Sequence, residues 1–305
     1  MVSSLERGTI VIITHNRSVQ LLRTLRALSR LGEGWPIIVV DNGSTDQTAK
    51  VVAREFPKLL LIRSRRNLGA AARNIAVAFV HTPYVAFCDD DTQWQPKSLT
   101  RAADVLDGDS RIGIVSAQVL IGETARVDPA CVQMANSQLD RDGLPGPQLL
   151  DFMAGACVAR TRAFYDAGGY WPPLFFGGEA LLALDLAVRG WRLVYIEDVV
   201  VRHFPRRLRH GRLRERLRLR NGIWVAWLRL PATQAWRETA ALLRRAHERR
   251  LLPMIVVPTL AGMLRVLKER HVITPRVAAM RARLFSQSVT EAPHELQPRT
   301  WGPMA

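Results

Sequence analysis

Short runs of β-branched and other apolar residues recur along the first hundred positions, and segments with helical periodicity separate them. The apolar runs predict strands at residues 9–13, 37–40, 59–62 and 84–88. Apolar side chains spaced three and four apart predict helices at residues 18–31, after residue 44, and at residues 69–80. The expected helix caps are Ser18, with Gly32 as the stop, and then Ser44 or Thr45. Strands that alternate with helices in this way are typical of a mostly parallel sheet with flanking helices, in an α/β fold.

The pattern becomes less regular beyond Pro96, and its character changes again near Pro205. The stretch between them predicts a helix to residue 106, a strand at 112–119, a loop rich in Asp, Gly and Pro at 122–146, an apolar segment at 152–159, a helix at 179–189, and strands at 192–196 and 199–203. From Leu208 onward, an Arg and Leu pattern followed by tryptophans predicts helices outside the sheet. We therefore expect an α/β domain over residues 1–205 and a basic helical region over residues 206–305.

The charge distribution separates the same two regions. The formal net charge of +16 falls entirely within residues 202–305, because basic and acidic residues balance over residues 1–201. A basic block of this kind usually meets a partner with negative charge, such as nucleic acid, anionic lipid headgroups or an acidic substrate. A solvated helical face would carry the same charge without a partner. The overall composition, with 48% hydrophobic and 23% charged residues, is that of a globular chain.

Cysteine usage and the apolar runs predict a cytoplasmic protein without a membrane span. The chain has 3 cysteines and no CxxC pair, so neither a disulfide framework nor a zinc site is expected. The first predicted strand begins so early that we expect no secretory signal. The longest apolar run, residues 251–264, is interrupted by Pro253 and Pro258 and is shorter than the ~20 residues of a membrane-crossing helix.

Carboxylates follow two of the predicted strands, at the end of the sheet where ligands of open α/β folds bind. Asp41 begins an Asp-Asn-Gly-Ser segment after the second strand, and its carboxylate can accept hydrogen bonds from a nucleobase or a ribose. Asp89, Asp90 and Asp91 follow the fourth strand. Three adjacent carboxylates repel one another unless solvent or a cation compensates them, and oxygen ligands suit Mg²⁺ or Mn²⁺. A turn with a helix cap, or an acidic surface turn, is the structural alternative at each place.

Three further side chains could take part in such a site. Arg73 lies one turn inside a helix that starts among the small residues after Asn67, where its guanidinium could hold a base or a phosphate. Glu179 begins a predicted helix, and His203 ends a predicted strand where an imidazole could bind a cation. Each also has a purely structural explanation: an alanine-rich helix start, stabilisation of the helix dipole, and a structural histidine.

Taken together, these segments resemble the family 2 glycosyltransferases of the GT-A fold, and they are similar to rhamnosyltransferase-like bacterial members. The resemblance covers residues 9–203. It rests on the order and spacing of Ile-Ile-Thr-His-Asn-Arg at 12–17, Val-Val-Asp-Asn-Gly-Ser-Thr-Asp at 39–46, Asn-Leu-Gly through Arg-Asn at 67–74, Phe-Cys-Asp-Asp-Asp at 87–91, and the segment from Gly155 to Glu179. It implies a nucleotide-sugar half at about residues 1–95 and an acceptor half at about residues 96–205. Specificity is expected to depend chiefly on the loop at residues 122–146.

The resemblance implies an inverting transfer of a sugar from a nucleotide diphosphate-sugar to an acceptor hydroxyl, in cell-surface polysaccharide or glycolipid synthesis. The donor-binding residues that it implies are Thr14, His15, Asn16, Arg17, Asp41, Asn67, Gly69, Arg73, Asp89 and Asp90. The implied ligands of Mg²⁺ or Mn²⁺ are Asp89, Asp91 and His203, with Asp91 as the direct ligand, and Glu179 is the implied general base. Two positions depart from the family pattern: His15 stands where a tyrosine is usual, and Ala180 leaves the acidic pair at Glu179 incomplete.

Other functions share parts of this pattern. A sugar nucleotidyltransferase would also combine an α/β nucleotide site with a metal, but it would normally carry a glycine-rich phosphate loop where residues 14–17 contain no glycine. A nucleic-acid-binding protein would explain the charge, but no nucleic-acid module accompanies it. We favour an anionic membrane surface as the partner of the basic region, peripheral at the inner face of the cell membrane. A lipid-linked glycan or sugar would then be the acceptor, with Trp224, Trp227 and Trp236 at the interface.

Overall fold

The computed structural model describes residues 7–205 and 211–290, with side chains up to residue 285. The strands are β1 (Gly8–Thr14), β2 (Ile37–Asp41), β3 (Leu60–Arg63), β4 (Tyr84–Asp89), β5 (Thr92–Trp94), β6 (Ile112–Ile121), β7 (Arg126–Val127), β8 (Gln148–Leu149), β9 (Ala156–Arg160) and β10 (Arg192–His203). The helices are α1 (Ser18–Leu28), α2 (Thr48–Glu55), α3 (Ala72–Val77), α4 (Ser98–Gly108), α5 (Pro129–Ala135), α6 (Thr161–Asp166), α7 (Glu179–Val188), α8 (Gly211–Arg229), α9 (Ala232–Glu248), α10 (Leu252–Lys268) and α11 (Pro275–Thr290). Parts of the predicted basic region, at residues 206–210 and 291–305, lie outside the described residues.

The strands form one mixed sheet in the order β3-β2-β1-β4-β9-β6-β10-β5. Strands β3, β2, β1 and β4 run parallel, as the alternating pattern of the first hundred residues predicts. Strand β9 then pairs antiparallel with β4 on one side and with β6 on the other, and β6 pairs parallel with β10. The predicted α/β class is confirmed, and the antiparallel pairings fall beyond β4, where the apolar pattern becomes irregular.

The predicted helix caps are wrong at both places. Helix α1 starts at Ser18 itself and has no side-chain cap. Helix α2 starts at Thr48, well beyond the predicted caps Ser44 and Thr45, because the Asp46 carboxylate accepts a hydrogen bond from the Thr48 amide at 2.9 Å. A carboxylate is a stronger acceptor for a free helix amide than a hydroxyl. The segment after β2 is therefore a longer loop than predicted.

Other elements differ from their predicted bounds for local reasons. Helix α1 ends before residue 31, because the amides of Arg30 and Leu31 bond three residues back instead of four. The helix predicted over 69–80 is a 3₁₀ turn at Gly69–Ala71 followed by α3. The two strands predicted at 192–203 are one strand, β10, with a register shift against β6 between Ile196 and Val200.

The loop predicted over residues 122–146 contains β7 and α5. The Asp128 carboxylate accepts a hydrogen bond from the Ala130 amide at 2.9 Å, and Pro129 is the first residue of the helix. An Asp-Pro pair is a helix-start signal that could have indicated α5. The remaining predicted strands and helices of the α/β domain agree with the structure to within two residues at each end.

Helices α8 to α11 pack on α7 and the neighbouring loops through one hydrophobic cluster. The cluster joins Leu174, Leu181 and Leu184 to Trp224, Val266 and Val277. An ion pair adds to it, because Arg229 on α8 donates to both oxygens of Asp185 on α7, at 2.5 and 2.9 Å. The domain boundary near Pro205 stays a prediction. No helix in the described ranges is both long enough and apolar enough to cross a membrane.

The three tryptophans predicted for a membrane interface have different surroundings. Trp224 is buried, and its Nε1 donates to the carbonyl oxygen of Thr259 at 3.0 Å. Trp227 is partly buried, and its Nε1 donates to the Thr239 hydroxyl at 3.1 Å. Of the three, Trp236 alone is largely exposed. The prediction is wrong for Trp224, because its ring lies in the core between the C-terminal helices. Trp227 packs against the same core and is partly exposed, so its place at an interface stays a prediction.

Candidate active site

The ends of β1, β2 and β4 bring the predicted motifs to one edge of the sheet. Thr14 pairs in register with Asp41, and Ile13 pairs with Asp89. Because the three strands are parallel neighbours, residues that lie far apart in the sequence meet where the strands end. The loops that follow these strands therefore form a single polar region.

The loop after β1 is tied to the loop after β2. Asp41 is buried, and its Oδ1 accepts a hydrogen bond from the amide three residues further on, at 3.0 Å. Asn16 has a φ of 55°, and its Oδ1 accepts from the Thr45 amide at 2.8 Å. His15 Nδ1 lies 3.1 Å from the carbonyl oxygen of Asn42. The predicted residues His15, Asn16 and Asp41 are thus held in one rigid unit.

Asn42, which sequence reasoning did not single out, connects this unit to the 3₁₀ turn. Its Nδ2 donates to Asn67 Oδ1 and to the carbonyl oxygen of Gly69, at 3.0 and 3.1 Å, and its Oδ1 accepts from the Leu68 amide at 2.8 Å. Gly69 has a φ of 59°, and a Cβ there would lie 2.0 Å from the carbonyl oxygen of Phe175. Gly69 therefore allows a close backbone approach. The position of Asn42 directly after a strand is the signal that could have indicated it.

Arg73 is buried and holds Asp89. Its Nη2 donates to Asp89 Oδ1 at 2.6 Å, and its guanidinium lies 6.0 and 5.5 Å from the ring centres of Phe87 and Tyr170. Within the described residues, Arg73 Nε and the Tyr170 hydroxyl have no hydrogen-bond partner. The Asp89 side chain is 43% exposed. Arg73 therefore orients a carboxylate that an incoming ligand can still reach.

Asp90 is buried behind the strand ends. Its carboxylate accepts from the Thr14 hydroxyl at 2.8 Å and pairs with Arg17 Nη1 at 2.7 Å. Burial raises the pKa of Asp90 to about 7, although the Arg17 guanidinium acts in the opposite direction. Thr14 and Arg17 therefore contact the protein's own carboxylates, and their role in donor binding stays a prediction.

Asp91 lies between Arg17 and His203. Arg17 Nη2 donates to Asp91 Oδ2 at 2.6 Å, and His203 Nε2 lies 3.5 Å from Asp91 Oδ1. Burial alone would raise the pKa of Asp91, but His203 and Arg17 outweigh it, so the pKa is lowered. Burial alone would lower the pKa of His203, but the Asp91 carboxylate outweighs it, so that pKa is raised. The pairing of β10 with β5 brings His203 to this place.

The ligand types at this place suit a hard divalent cation. Asp89 and Asp91 offer carboxylate oxygens, and His203 offers an imidazole nitrogen beside Asp91. Across residues 7–205 and 211–290, no three such side chains converge as a preformed cation site. The Asp91 charge is instead balanced by Arg17. The carboxylate oxygens and the imidazole nitrogen at this place are ligand types that fit Mg²⁺ or Mn²⁺.

Glu179 is the first residue of α7 and lies within electrostatic range of Arg73, Asp89 and Asp151. The pKa of Glu179 is raised to about 7, chiefly by burial and also by Asp151 and Asp89, while a backbone hydrogen bond and Arg73 act in the opposite direction. The side chain keeps some exposure to solvent. A carboxylate with this pKa can exchange a proton near neutral pH.

The segment before α7 is held from two sides. The Ala70 amide donates to the carbonyl oxygen of Phe175 at 2.9 Å. Asn221 Nδ2 on α8 donates to the carbonyl oxygen of Phe176. The 3₁₀ turn and the basic helical region therefore both hold the segment that leads to Glu179.

A cavity of about 280 Å³ lies between α5, the segment at residues 149–153 and α11. Its walls are mainly apolar, with Met134 and Leu284 from the two helices, and its charged groups are Asp151 and Arg281. Of the carboxylates that raise the pKa of Glu179, Asp151 has the larger effect and Asp89 the smaller. Helix α5, within the loop predicted over residues 122–146, therefore forms one wall of this cavity, and the role of the loop in specificity stays a prediction.

The family model for glycosyl transferase family 2 matches residues 9–175, which is more than half of the chain. The chain belongs to this family. The predicted resemblance is therefore confirmed, and the protein is a glycosyltransferase rather than a sugar nucleotidyltransferase. The match includes the strand ends with Asp41 and Asp89 and stops before Glu179, whose role as general base stays a prediction.

Named relatives and solved structures agree with the family. The glycosyltransferase is 25% identical over 232 residues to N-acetylglucosaminyl-diphospho-decaprenol L-rhamnosyltransferase of Mycobacterium tuberculosis, which covers 64% of this chain and 75% of that protein. A mannosyltransferase from Pyrobaculum calidifontis, solved with GDP-Man and Mn²⁺, has a TM-score of 0.58 and 19% identity over 93% of this chain and 86% of its own. Staphylococcus aureus TarS, solved with UDP-GlcNAc, has a TM-score of 0.60 and 16% identity over 93% of this chain and 88% of its own. These structures confirm the predicted GT-A fold.

Proposed function

We propose that this family 2 glycosyltransferase moves a sugar from a nucleotide diphosphate-sugar to an acceptor hydroxyl, with inversion at the sugar C1 and with Mg²⁺ or Mn²⁺. One observation carries the proposal: Glu179, Arg73 and Asp89 act on one another at the sheet edge that also holds Asp91 and His203. The reaction requires a base for the acceptor, positive charge for the leaving diphosphate and ligands for a cation. The site offers residues for each.

Donor recognition is assigned to the loops after β1 and β2. Asp41 is fixed in place, and His15 and Asn16 keep part of their surface open beside it. The other oxygen of this carboxylate lies 3.6 Å from Nε of the exposed Arg63. A carboxylate oxygen has more than one acceptor position, which suits the N–H groups of a base or the hydroxyls of a ribose. GDP-Man and UDP-GlcNAc in the two solved structures support a nucleotide diphosphate-sugar as the donor class.

The residues we assign to the cation are Asp91, His203 and Asp89. A bound divalent cation supplies positive charge to the diphosphate as it leaves. The Arg17 guanidinium forms ion pairs with both Asp90 and Asp91, and its positive charge offsets the repulsion between these adjacent carboxylates. The Mn²⁺ in the mannosyltransferase structure supports this assignment.

Glu179 is the assigned general base. In the proposed single displacement, the acceptor oxygen bonds to C1 of the sugar while the bond from C1 to the diphosphate oxygen breaks. The acceptor proton passes to a carboxylate oxygen of Glu179, and the nucleoside diphosphate leaves with the bonding electron pair. A pKa of about 7 suits this role, because such a carboxylate is both ionised and basic near neutral pH. No covalent intermediate with the enzyme is needed.

A lipid-linked sugar is the proposed acceptor class, at an anionic membrane surface, in the synthesis of cell-surface polysaccharide or glycolipid. The relative from Mycobacterium tuberculosis is named for an acceptor whose sugar is joined through a diphosphate to decaprenol. The cavity beside α11 has apolar walls and two charged residues, Asp151 and Arg281. Asp151 lines this cavity and also acts electrostatically on Glu179. This connection supports the cavity as the place where the acceptor binds.

Thermal unfolding with a panel of nucleotide diphosphate-sugars tests the donor class and the cation together. The matching donor with Mn²⁺ at ~100 times its Kd is expected to stabilise the fold by about 2.7 kcal/mol, which raises the unfolding temperature by roughly 4 °C for a chain of this size. The same donor without divalent cation should give a much smaller shift. Equal shifts with and without the cation would contradict the metal assignment, and no shift with any donor would contradict the donor class.

A further inference from the structure

Helix α10 carries a continuous row of large apolar side chains on its exposed face. Val257, Leu260 and Leu264 are 70%, 65% and 68% exposed, and Met254, Val256 and Leu267 extend the exposed apolar surface along the helix. Spacings of three and four residues place Val257, Leu260, Leu264 and Leu267 on one side of the helix. Single exposed apolar residues are normal on a protein surface, but a continuous row marks a surface that meets a partner.

The opposite face of α10 packs against the rest of the protein, so the helix cannot rotate to bury the apolar row. Ile255 and Val266 are fully buried. Gly262 packs so closely on Trp224 that a Cβ there would lie 2.1 Å from the indole ring. The hydrogen bond from Trp224 Nε1 to Thr259 fixes the same face. The exposure of the row is therefore a property of the packed structure.

Basic side chains stand at both ends of the row. Arg249 and Arg250 precede α10 directly, and Arg265 and Lys268 lie in its last turn; all four are exposed. A helix with one apolar face and Lys or Arg beside it lies in the plane of a membrane interface, with the apolar face ~5–10 Å deep. Helix α10 has 17 residues and is therefore about 25 Å long, which suits an in-plane position.

A second copy of this chain would fit the row less well than an anionic lipid surface. In a two-fold symmetric dimer, the same surface meets itself, so the basic ends of both copies would approach each other. The formal charge of +16 on each chain adds repulsion. Anionic headgroups would instead pair with Arg249, Arg250 and Lys268 while the acyl chains cover the row. Arg265 already pairs with Glu269 at 2.8 Å.

The C-terminal end of α10 is joined to the segment that leads to the site. Trp171 Nε1 donates to Glu269 Oε2 at 2.5 Å, and the Arg265 guanidinium lies 5.6 Å from the Trp171 ring. The preceding residue, Tyr170, packs against Arg73. These contacts would therefore fix the position of Arg73 relative to any surface that α10 binds.

We propose that α10 lies in the headgroup layer of an anionic bilayer, with its apolar row in the lipid and its basic ends on the headgroups. The apolar run at residues 251–264, too short to span a membrane, would thus rest on its surface. This contact would bring the active site close to a lipid-linked acceptor, a consequence that rests on the proposed function. The binding to lipid does not depend on it.

Sedimentation of the full-length protein with vesicles tests the proposal without donor or acceptor. The vesicles contain phosphatidylcholine alone or phosphatidylcholine mixed with phosphatidylserine, which gives the surface the negative charge of an anionic leaflet. Wild type is expected to sediment with the anionic vesicles, and Leu260→Gln/Leu264→Gln is expected to lower the partition coefficient by at least ~10-fold, because two apolar side chains leave the lipid. The matched control is Val19→Gln/Val132→Gln, which changes two exposed apolar residues of the catalytic domain and should bind as wild type does.

Both double variants change exposed side chains, so equal unfolding temperatures will show that they fold. Wild type that stays in the supernatant at low salt would overturn the proposal, and so would unchanged binding by the α10 variant. A wild type that self-associates without lipid, and that the α10 substitutions convert to a monomer, would overturn it in favour of a protein interface. Sugar transfer to a soluble acceptor is measured separately, so a failure of the catalytic assignment would not resemble a failure of lipid binding.

Discussion

Replacing Glu179 with Gln is expected to lower the rate of sugar transfer by ~10²–10⁴-fold while donor and cation binding are retained. Glutamine keeps the size of the side chain but cannot take the proton of the acceptor hydroxyl. Because burial raises the pKa of Glu179 to about 7, the wild-type rate should rise as the pH passes 7. The residual rate of the variant should lack that rise. Initial rates across pH 5.5–8.5, a span of roughly 1.5 units on either side of that pKa, measure both effects.

As the pH rises through about 7, the contribution of Glu179 to folding stability is expected to fall while the transfer rate rises. The pKa of Glu179 is higher in the folded protein than in the unfolded chain, so the buried carboxyl favours the fold below the unfolded pKa, and this contribution is lost as the pH rises through about 7. Glutamine stays neutral. At pH 8 the variant should therefore unfold at the wild-type temperature or above it, which separates a catalytic loss from misfolding.

Two other carboxylates serve as controls for Glu179. Glu197 is exposed on β10, and Glu197→Gln should leave transfer unchanged. Asp185 lies on the same helix as Glu179 but is bound by Arg229. Asp185→Asn should therefore lower the unfolding temperature and have little effect on the rate of sugar transfer by the folded protein. Transfer by Glu179→Gln within a few-fold of wild type, or a large loss confined to a stable Asp185→Asn, would show that the base is assigned to the wrong residue.

Replacing Asp91 with Asn is expected to remove the dependence of donor binding on Mg²⁺ or Mn²⁺. The substitution takes away the charged oxygen that we assign as the direct ligand, and a neutral amide binds a hard cation more weakly. Donor affinity with Mn²⁺ should fall to the level seen without it, and transfer should fall by at least ~10²-fold, the usual effect of losing one group that stabilises the leaving charge. Calorimetric titration of the donor with and without Mn²⁺ measures the first effect.

His203 gives a second measure of the same change that does not depend on activity. The Asp91 carboxylate raises the pKa of His203, so its removal should lower that pKa, which NMR titration of the imidazole can follow. Asp198→Asn is the control, because Asp198 forms an exposed ion pair with Arg101 on the surface. Wild-type affinity for donor and Mn²⁺ in Asp91→Asn would contradict the assignment.

The nucleotide side of the site could be predicted because it depends on local pattern. Asp41 and Asp89 each follow a short apolar run, and parallel strands that alternate with helices end at one edge of the sheet. Their approach to each other therefore follows from the order of the elements. His203 was placed by its position at a strand end, although the antiparallel pairing of β10 with β5 that brings it to Asp91 could not be deduced from periodicity.

Long-range packing accounts for what could not be predicted. Asn42 looks like part of an ordinary turn, and its bonds to Asn67 and Gly69 exist only because a loop distant in sequence comes beside it. Periodicity shows which face of a helix is apolar, but it does not show which face a neighbouring helix covers. For this reason Trp224, expected at a membrane, is in the core, and the row on α10 is exposed.

The anomeric configuration of the product tests the proposed single displacement most directly. The purified protein is incubated with Mn²⁺, the donor that stabilises it and a lipid-linked or short-chain acceptor, and proton NMR follows the first product formed. A single displacement with Glu179 as base predicts that the sugar is joined to the acceptor with the configuration opposite to that in the donor, and that an equal amount of nucleoside diphosphate is released. A product that keeps the configuration of the donor, or a sugar trapped covalently on the enzyme, would contradict it.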